Sequence, residues 1–186
     1  MKTVYFDVDA QLDFLLPSGA LYVPGAERII SNIARLNQKA ATEGALVIST
    51  MDAHTEDDPE FNTWPHHCVK GCLGQRKAAS TLLDSFAIIQ NVPGTFAWCG
   101  AAQLLLEKQT VDCFTNQHLA GILKEWQADK YVVYGVVTEI CVKNAVKGLL
   151  ALGKPVEIIL DAVQHLNSAQ RDAFLNEFRA AGGILI

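Results

Sequence analysis

Asp52-x-His54, Glu60 and Trp64-Pro65-His66-His67 set carboxylates and imidazoles at metal-ligand spacing within residues 52–67. Such a donor mix suits one divalent ion of borderline softness, zinc first and manganese or iron(II) next, better than calcium or magnesium. Glu56, Asp57 and Asp58 crowd the same stretch, so a solvated acidic loop is the competing reading. It weighs most on Glu60 and least on the Asp-x-His pair and the two histidines. A second chemical position is Cys141, in Val137-Thr138-Glu139-Ile140-Cys141-Val142. With Thr138 as N-cap, Cys141 falls in the first turn of a helix. There the positive end of the helix dipole favours thiolate, and first-turn N–H groups without helical partners can receive an oxyanion. A core-facing cysteine is the alternative, since this residue type is often buried.

Two further residues bear on that choice. Asp9 lies just past the run Thr3–Val8, and Lys108 just past Leu104-Leu105-Leu106. A carboxylate beside a thiol can accept its proton and later hand it to a leaving amine; an ammonium alongside favours both anions. Taken singly, Asp9 could be a helix cap and Lys108 a surface lysine. Taken together, Asp9, Asp52, Lys108 and Cys141 all fall at predicted strand ends on one side of a sheet, where open α/β folds bind ligands.

The elements that must position these residues alternate short β-branched runs with amphipathic helical stretches, the pattern of an α/β fold with a parallel sheet. Strands are predicted at Thr3–Val8, Ala45–Thr50, Ser85–Gln90, Gln103–Glu107, Tyr131–Val137 and Val156–Leu160, with a short last strand ending at Ile186. Helices are predicted at Ala26–Glu43, Asn116–Gln127, Glu139–Leu152 and Ser168–Ala181. Tyr131–Val137 is almost continuously apolar, which marks a strand buried on both faces. Residues 76–107 are the least legible stretch. No repeat or linker divides residues 1–186, so they read as a single domain.

Half of the 186 residues are apolar, enough for one sizeable core. A net charge of −5 and aromatics at only 8%, with no basic run among them, argue against nucleic acid as a partner. No apolar run approaches the roughly 20 residues of a membrane span, and charge interrupts the N-terminus too early for a signal peptide. A cytoplasmic setting follows as the expectation. The five cysteines are scattered, and reduced thiols are expected, with Cys68 and Cys72 as small buried hydrophobes. The apolar tail Gly183-Ile184-Leu185-Ile186 fits an edge strand that needs cover.

Asp9-Ala10-Gln11-Leu12-Asp13-Phe14, Asp52-x-His54, Trp64-Pro65-x-His67-Cys68, Lys108 followed by Phe114, and Gly135-Val136-Val137-Thr138-Glu139-Ile140-Cys141-Val142 occur in that order. In these motifs the chain resembles the nicotinamidase branch of the isochorismatase-like cysteine hydrolases, from residue 3 to the C-terminus. The resemblance implies a three-layer α-β-α fold around a six-stranded parallel sheet. It implies a triad of Asp9, Lys108 and Cys141, an oxyanion hole of the Val137 and Cys141 N–H groups behind a cis Val136–Val137 peptide, and a metal held by Asp52, His54, Glu60 and His67. Phe14 and Trp64 match the aromatic residues that sandwich a pyridine ring. The activity implied is hydrolysis of nicotinamide to nicotinate and ammonia through a thioester, in a homo-oligomer. The same triad could serve another small amide, a carbamoyl or ureido compound. Three positions depart from the family pattern. Asp7 adds a second carboxylate to the first strand, and only the Gln11-x-Asp13-Phe14 register assigns the base to Asp9. Cys72 stands where threonine is commoner. Residues 76–107 match poorly and bear on the shape of the pocket.

Overall fold

The structure, a computed structural model, describes residues 1–96 and 98–186. Ala97, inside the least legible stretch, lies outside the described residues. Seven strands run in chain order as β1 (Thr3–Val8), β2 (Leu46–Asp52), β3 (Phe86–Ile89), β4 (Gln103–Lys108), β5 (Lys130–Gly135), β6 (Val156–Val163) and β7 (Ile184–Leu185). The helices are the single turn α1 (Leu12–Leu15), then α2 (Ile30–Thr42), α3 (Leu119–Trp126), α4 (Lys143–Leu150) and α5 (Ser168–Ala180). All strands are parallel, in the order β3-β4-β2-β1-β5-β6-β7.

The sheet therefore has seven strands, not the six the family resemblance implies. The extra one is the C-terminal tail: Ile184 and Leu185 pair with Glu157 and Ile158, and Ile186 N–H donates to the Ile158 carbonyl at 3.0 Å. This tail is an edge strand, as expected, and Ile184 and Ile186 remain exposed along it.

Alternation along β1 sorts its side chains between two cores. Val4, Phe6 and Val8 pack with Leu46, Ile48, Leu104, Leu106 and Val133 beneath α3, α4 and α5. Tyr5 faces the opposite way, with Val47, Val132 and Tyr134, against Ile33, Leu36 and Ala40 of α2. Both faces of the central strands are covered, which explains the unbroken apolar run of β5. Asp7 shares the Tyr5 side. Its carboxylate accepts from Asn37 Nδ2 at 2.8 Å, Ser49 Oγ at 3.2 Å and Lys77 Nζ at 2.5 Å, all within the core. These bonds make Asp7 an anchor between the α2 layer and the segment around Lys77.

Several boundaries shift. Ala26–Ile29 form a 3-10 turn leading into α2 instead of its first helical turn. The helix after β5 opens with a wide π turn, Thr138–Val142, capped by Val137 instead of Thr138. Thr138 is drawn off because its N–H and Oγ1 both donate to the Gln164 carbonyl, at 2.9 and 2.8 Å. Cys68 is buried but Cys72 is exposed, since it lies in the turn before Gln75 instead of under it. All five cysteines are free thiols.

The chain leaves β1 toward β2 on one side and returns to pair β5 on the other, so the C-terminal ends of β1 and β5 flank a topological switch point. Gly135 lets the two ends meet. At φ +115°, a Cβ here would lie 2.0 Å from the Val8 carbonyl oxygen, and Val136 N–H donates to that same oxygen at 2.9 Å. Only glycine permits this approach, which carries the Cys141 turn alongside Asp9.

Candidate active site

Asp9 is the first residue beyond β1, Asp52 and Lys108 end β2 and β4, and Cys141 sits in the turn after β5. Asp52 and Lys108 are register partners across the β2–β4 pair. All four side chains are buried and converge as the sequence predicts. Lys108 Nζ lies 3.0 Å from Asp9 Oδ2 and 3.9 Å from Cys141 Sγ, and it donates a close hydrogen bond to Asp52 Oδ1. One ammonium thus ties the carboxylate beside the thiol to the carboxylate at the histidines.

Asp9 adopts φ +51°, a left-handed conformation that aspartate tolerates better than most residues. Its Oδ1 accepts from Thr50 Oγ1 at 2.6 Å. Its Oδ2, although close to Lys108 Nζ, has no aligned hydrogen bond and keeps a lone pair free. Burial raises the Asp9 carboxyl above the usual carboxylate range, against the opposing pull of Lys108. Burial also pushes the Cys141 thiol well up, and the Asp9 and Asp52 charges add to the effect while Lys108 opposes it. Burial thus works against the thiolate that the helix end favours. Asp52 goes the other way. Burial would raise it, but Lys108, His54 and His67 outweigh burial and hold it below the usual range. Desolvation would lower Lys108, yet Asp52 and Asp9 keep it firmly cationic.

Beside this triad, ligand atoms of Asp52, His54 and His67 all lie within 4.8 Å of one another. Asp52 Oδ2 is 3.7 Å from His54 Nε2 and 3.5 Å from His67 Nε2. His67 Nδ1 meets the Pro65 carbonyl at 2.7 Å, which fixes that ring with Nε2 inward. His54 Nδ1 stands 3.0 Å from Asp58 Oδ2, but the contact is off the N–H axis, and neither ring nitrogen of this buried imidazole has a formed hydrogen bond. An anionic carboxylate oxygen and two inward imidazole nitrogens, one of them orphaned, fit a divalent ion such as zinc. Glu60, on the 3-10 turn Pro59–Asn62, lies outside this trio and lines the pocket beside it. His66 is exposed and stacks on Phe61.

The pocket over these groups is lined by Asp52, Glu60 and His67 together with Cys141. Phe14 and Trp64 supply its aromatic walls; Leu21, Val111, Val137, Ile140 and Leu166 supply the aliphatic ones. No cationic side chain lines it among the described residues. Among the described residues, none that lines the pocket comes from the stretch 76–107. The peptide between Val136 and Val137 is cis, as the resemblance implied.

Sequence reasoning did not assign roles to the residues that hold the ligands in place. Gln11 clasps the Asp52 backbone, accepting from its N–H at 2.7 Å and donating to its carbonyl at 2.8 Å. Asp13 Oδ2 accepts from Cys68 N–H at 2.7 Å, anchoring the chain just after His67. Both lie within the Asp9–Phe14 motif, so the signal was present without its geometry. Thr50, Asp58 and Leu166 gave no signal of their own.

The sequence model of the Isochorismatase domain matches residues 3–186. The nicotinamidase of Escherichia coli (strain K12) is 27% identical over 216 residues, covering 96% of this chain and 91% of its own. The nicotinamidase of Saccharomyces cerevisiae is 27% identical over 195 residues, covering 87% of each. Among solved structures, the pyrazinamidase of Pyrococcus horikoshii in complex with zinc superposes with a TM-score of 0.84 at 26% identity, covering 100% of this chain and 99% of that one.

Proposed function

The chain belongs to the isochorismatase domain family, and from that premise we propose that it is a metal-containing cysteine amidohydrolase that converts nicotinamide to nicotinate and ammonia. The observation that carries this reading is the pocket: two aromatic residues and aliphatic walls around metal-ligand atoms and a thiol that shares the Lys108 ammonium with a buried acid. Such a space suits a flat, uncharged heteroaromatic amide. A carbamoyl or ureido acid, the other amide class considered, would bring a carboxylate that no lysine or arginine among the described lining residues would meet.

Asp52, His54 and His67 would hold the ion, with Glu60 as the fourth position. Bound there, the ion supplies Lewis acidity that orients a ring nitrogen and lowers the pKa of a coordinated water. The remaining chemistry belongs to the chain. Phe14 and Trp64 hold the ring and exclude water. Asp9 Oδ2 takes the proton from Cys141 Sγ, and the sulfur attacks the amide carbon. The carbonyl oxygen becomes an oxyanion, received by the Val137 and Cys141 N–H groups. Asp9 returns its proton to the departing nitrogen as ammonia, leaving a thioester on Cys141. It then takes a proton from water, whose oxygen attacks the thioester; the C–S bond breaks, the acid leaves, and Asp9 returns the proton to Cys141 Sγ. Lys108 keeps both carboxylates in register throughout.

Burial that disfavours the thiolate fits this scheme, in which Asp9 forms the nucleophile on demand. Ammonia release measured over a panel of nicotinamide, pyrazinamide, a carbamoyl amino acid and a ureido acid tests the assignment. Turnover confined to the ring amides is expected; preference for the carbamoyl or ureido acid would overturn it. A homo-oligomeric, cytoplasmic enzyme completes the proposal, supported by the exposed apolar edge at Ile184 and Ile186 and by five free thiols. No helix among the described residues is long and apolar enough to cross a membrane.

A further inference from the structure

Glu139 stands two residues before the nucleophile and is buried, yet its carboxylate serves the segment 164–167. Glu139 Oε1 accepts from Leu166 N–H at 2.9 Å and from Asn167 N–H at 2.6 Å. Its Oε2 is buried with no partner among the described residues. Together with the two bonds from Thr138 to the Gln164 carbonyl, these contacts lash the segment to the turn that bears Cys141. Burying a carboxylate is costly unless hydrogen bonds compensate, and the two bonds that compensate here fix the backbone at Leu166 and Asn167. What that backbone presents is Leu166, which lines the pocket and remains 40% exposed at its rim. An apolar side chain so exposed is held by its backbone more than by packing.

We propose that Leu166 is the wall that limits the size of the acyl group reaching Cys141, and that Glu139 is the positioning residue that sets the distance of that wall from the sulfur. The inference rests on Cys141 being the reactive thiol of this pocket, and goes beyond it by naming what restricts the substrate. Because wall and nucleophile hang from one turn, two hydrogen bonds to a single oxygen, nearest the wall, set the gap between them together with the Thr138 bonds to Gln164. Loosening those bonds enlarges the site without touching the triad or the ligand trio.

The test compares alkylation of Cys141 by iodoacetamide and by the bulkier N-phenylmaleimide. It is read by mass spectrometry at the Cys141 peptide, because Cys72 and Cys99 are also exposed. In Leu166→Ala the bulky-to-small rate ratio is expected to rise about tenfold, the scale on which an apolar pocket discriminates small groups. Glu139→Ala is expected to raise it in the same direction, and the double variant to open the site no further than Leu166→Ala alone. Glu139→Gln keeps an acceptor oxygen and should stay near the wild-type ratio, which a general loss of structure would not spare. In parallel, kcat/KM for ring-methylated nicotinamides relative to nicotinamide should rise in Leu166→Ala. An unchanged alkylation ratio in Leu166→Ala overturns the wall. Full additivity with Glu139→Ala, or Glu139→Gln as open as Glu139→Ala, overturns the positioning role. Wild-type protein inert toward every pyridine carboxamide would remove the nicotinamidase reading while the alkylation ratio still decides the wall.

Discussion

Asp9 and Thr50 show how single side chains set the working range of the site. The Thr50 hydroxyl donates to Asp9 Oδ1 at 2.6 Å and favours the anion that must receive the thiol proton, against a burial effect that favours the acid. In Thr50→Val the Asp9 pKa should climb further, because the hydrogen bond that lowers it is gone. The acidic limb of the kcat/KM profile is then expected to move to higher pH, and a limb that stays in place would separate Asp9 from the proton transfer. Asp9→Asn, which tolerates the same left-handed backbone, is expected to lose about 10²–10⁴-fold in kcat. His54 gives a second pH dependence. Burial would lower its pKa, but Asp52 and Asp58 outweigh burial and raise it. A raised histidine stabilises the metal-free fold below its ordinary value of about 6.5, and that contribution is lost as pH rises through the folded value. The ligand must be neutral, so zinc affinity should increase over the same interval. Chelator competition from acid to mildly alkaline pH checks the sign; affinity independent of pH there would contradict it.

At the level of elements, the decisive contact is that of β1 with β5 at Gly135. Gly135→Ala would drive a Cβ into the Val8 carbonyl and force a positive φ on alanine. Thermal denaturation should show a loss larger than the roughly 1 kcal/mol typical of point variants, and residual folded protein should lose Cys141 reactivity. The sequence revealed the strands on which the site depends, because β1, β2, β4 and β5 are apolar runs buried on both faces. It also revealed that Asp9, Asp52, Lys108 and Cys141 share one edge, since strand ends in a parallel sheet have only one place to lead. It did not reveal the π turn at Thr138–Val142, because a π turn arises from the competing bonds to Gln164, far along the chain. Spacing alone did not separate Asp7 from Asp9; only the Gln11-x-Asp13-Phe14 register favoured Asp9. Alternation does not decide that pair, as both are odd-numbered; the chain leaves the strand at Asp9 and turns it toward Lys108, while Asp7 stays under α2.

For the molecule as a whole, parallel strands on both sides of the switch point place Asp9, Asp52, Lys108 and Cys141 at one rim, and Asp52, His67, Cys141 and the two aromatic walls line one pocket there. Lys108 joins the two halves of that chemistry, since it is the cation between Asp9 and Asp52. Replacing it with methionine leaves buried carboxylates uncompensated, at an expected cost of about 3–5 kcal/mol. Stability measured by urea denaturation should fall together with activity; a variant of unchanged stability would show the ion pair to be incidental. The seventh strand, with Ile184 and Ile186 exposed, sits at the edge farthest from β3. The most direct measurement is ammonia release from nicotinamide by zinc-loaded Cys141→Ala, with metal content determined in the same sample. A full complement of zinc and no turnover is the expected result. Turnover at the wild-type rate would mean that the thiol is a packing residue and that hydrolysis proceeds without a covalent thioester.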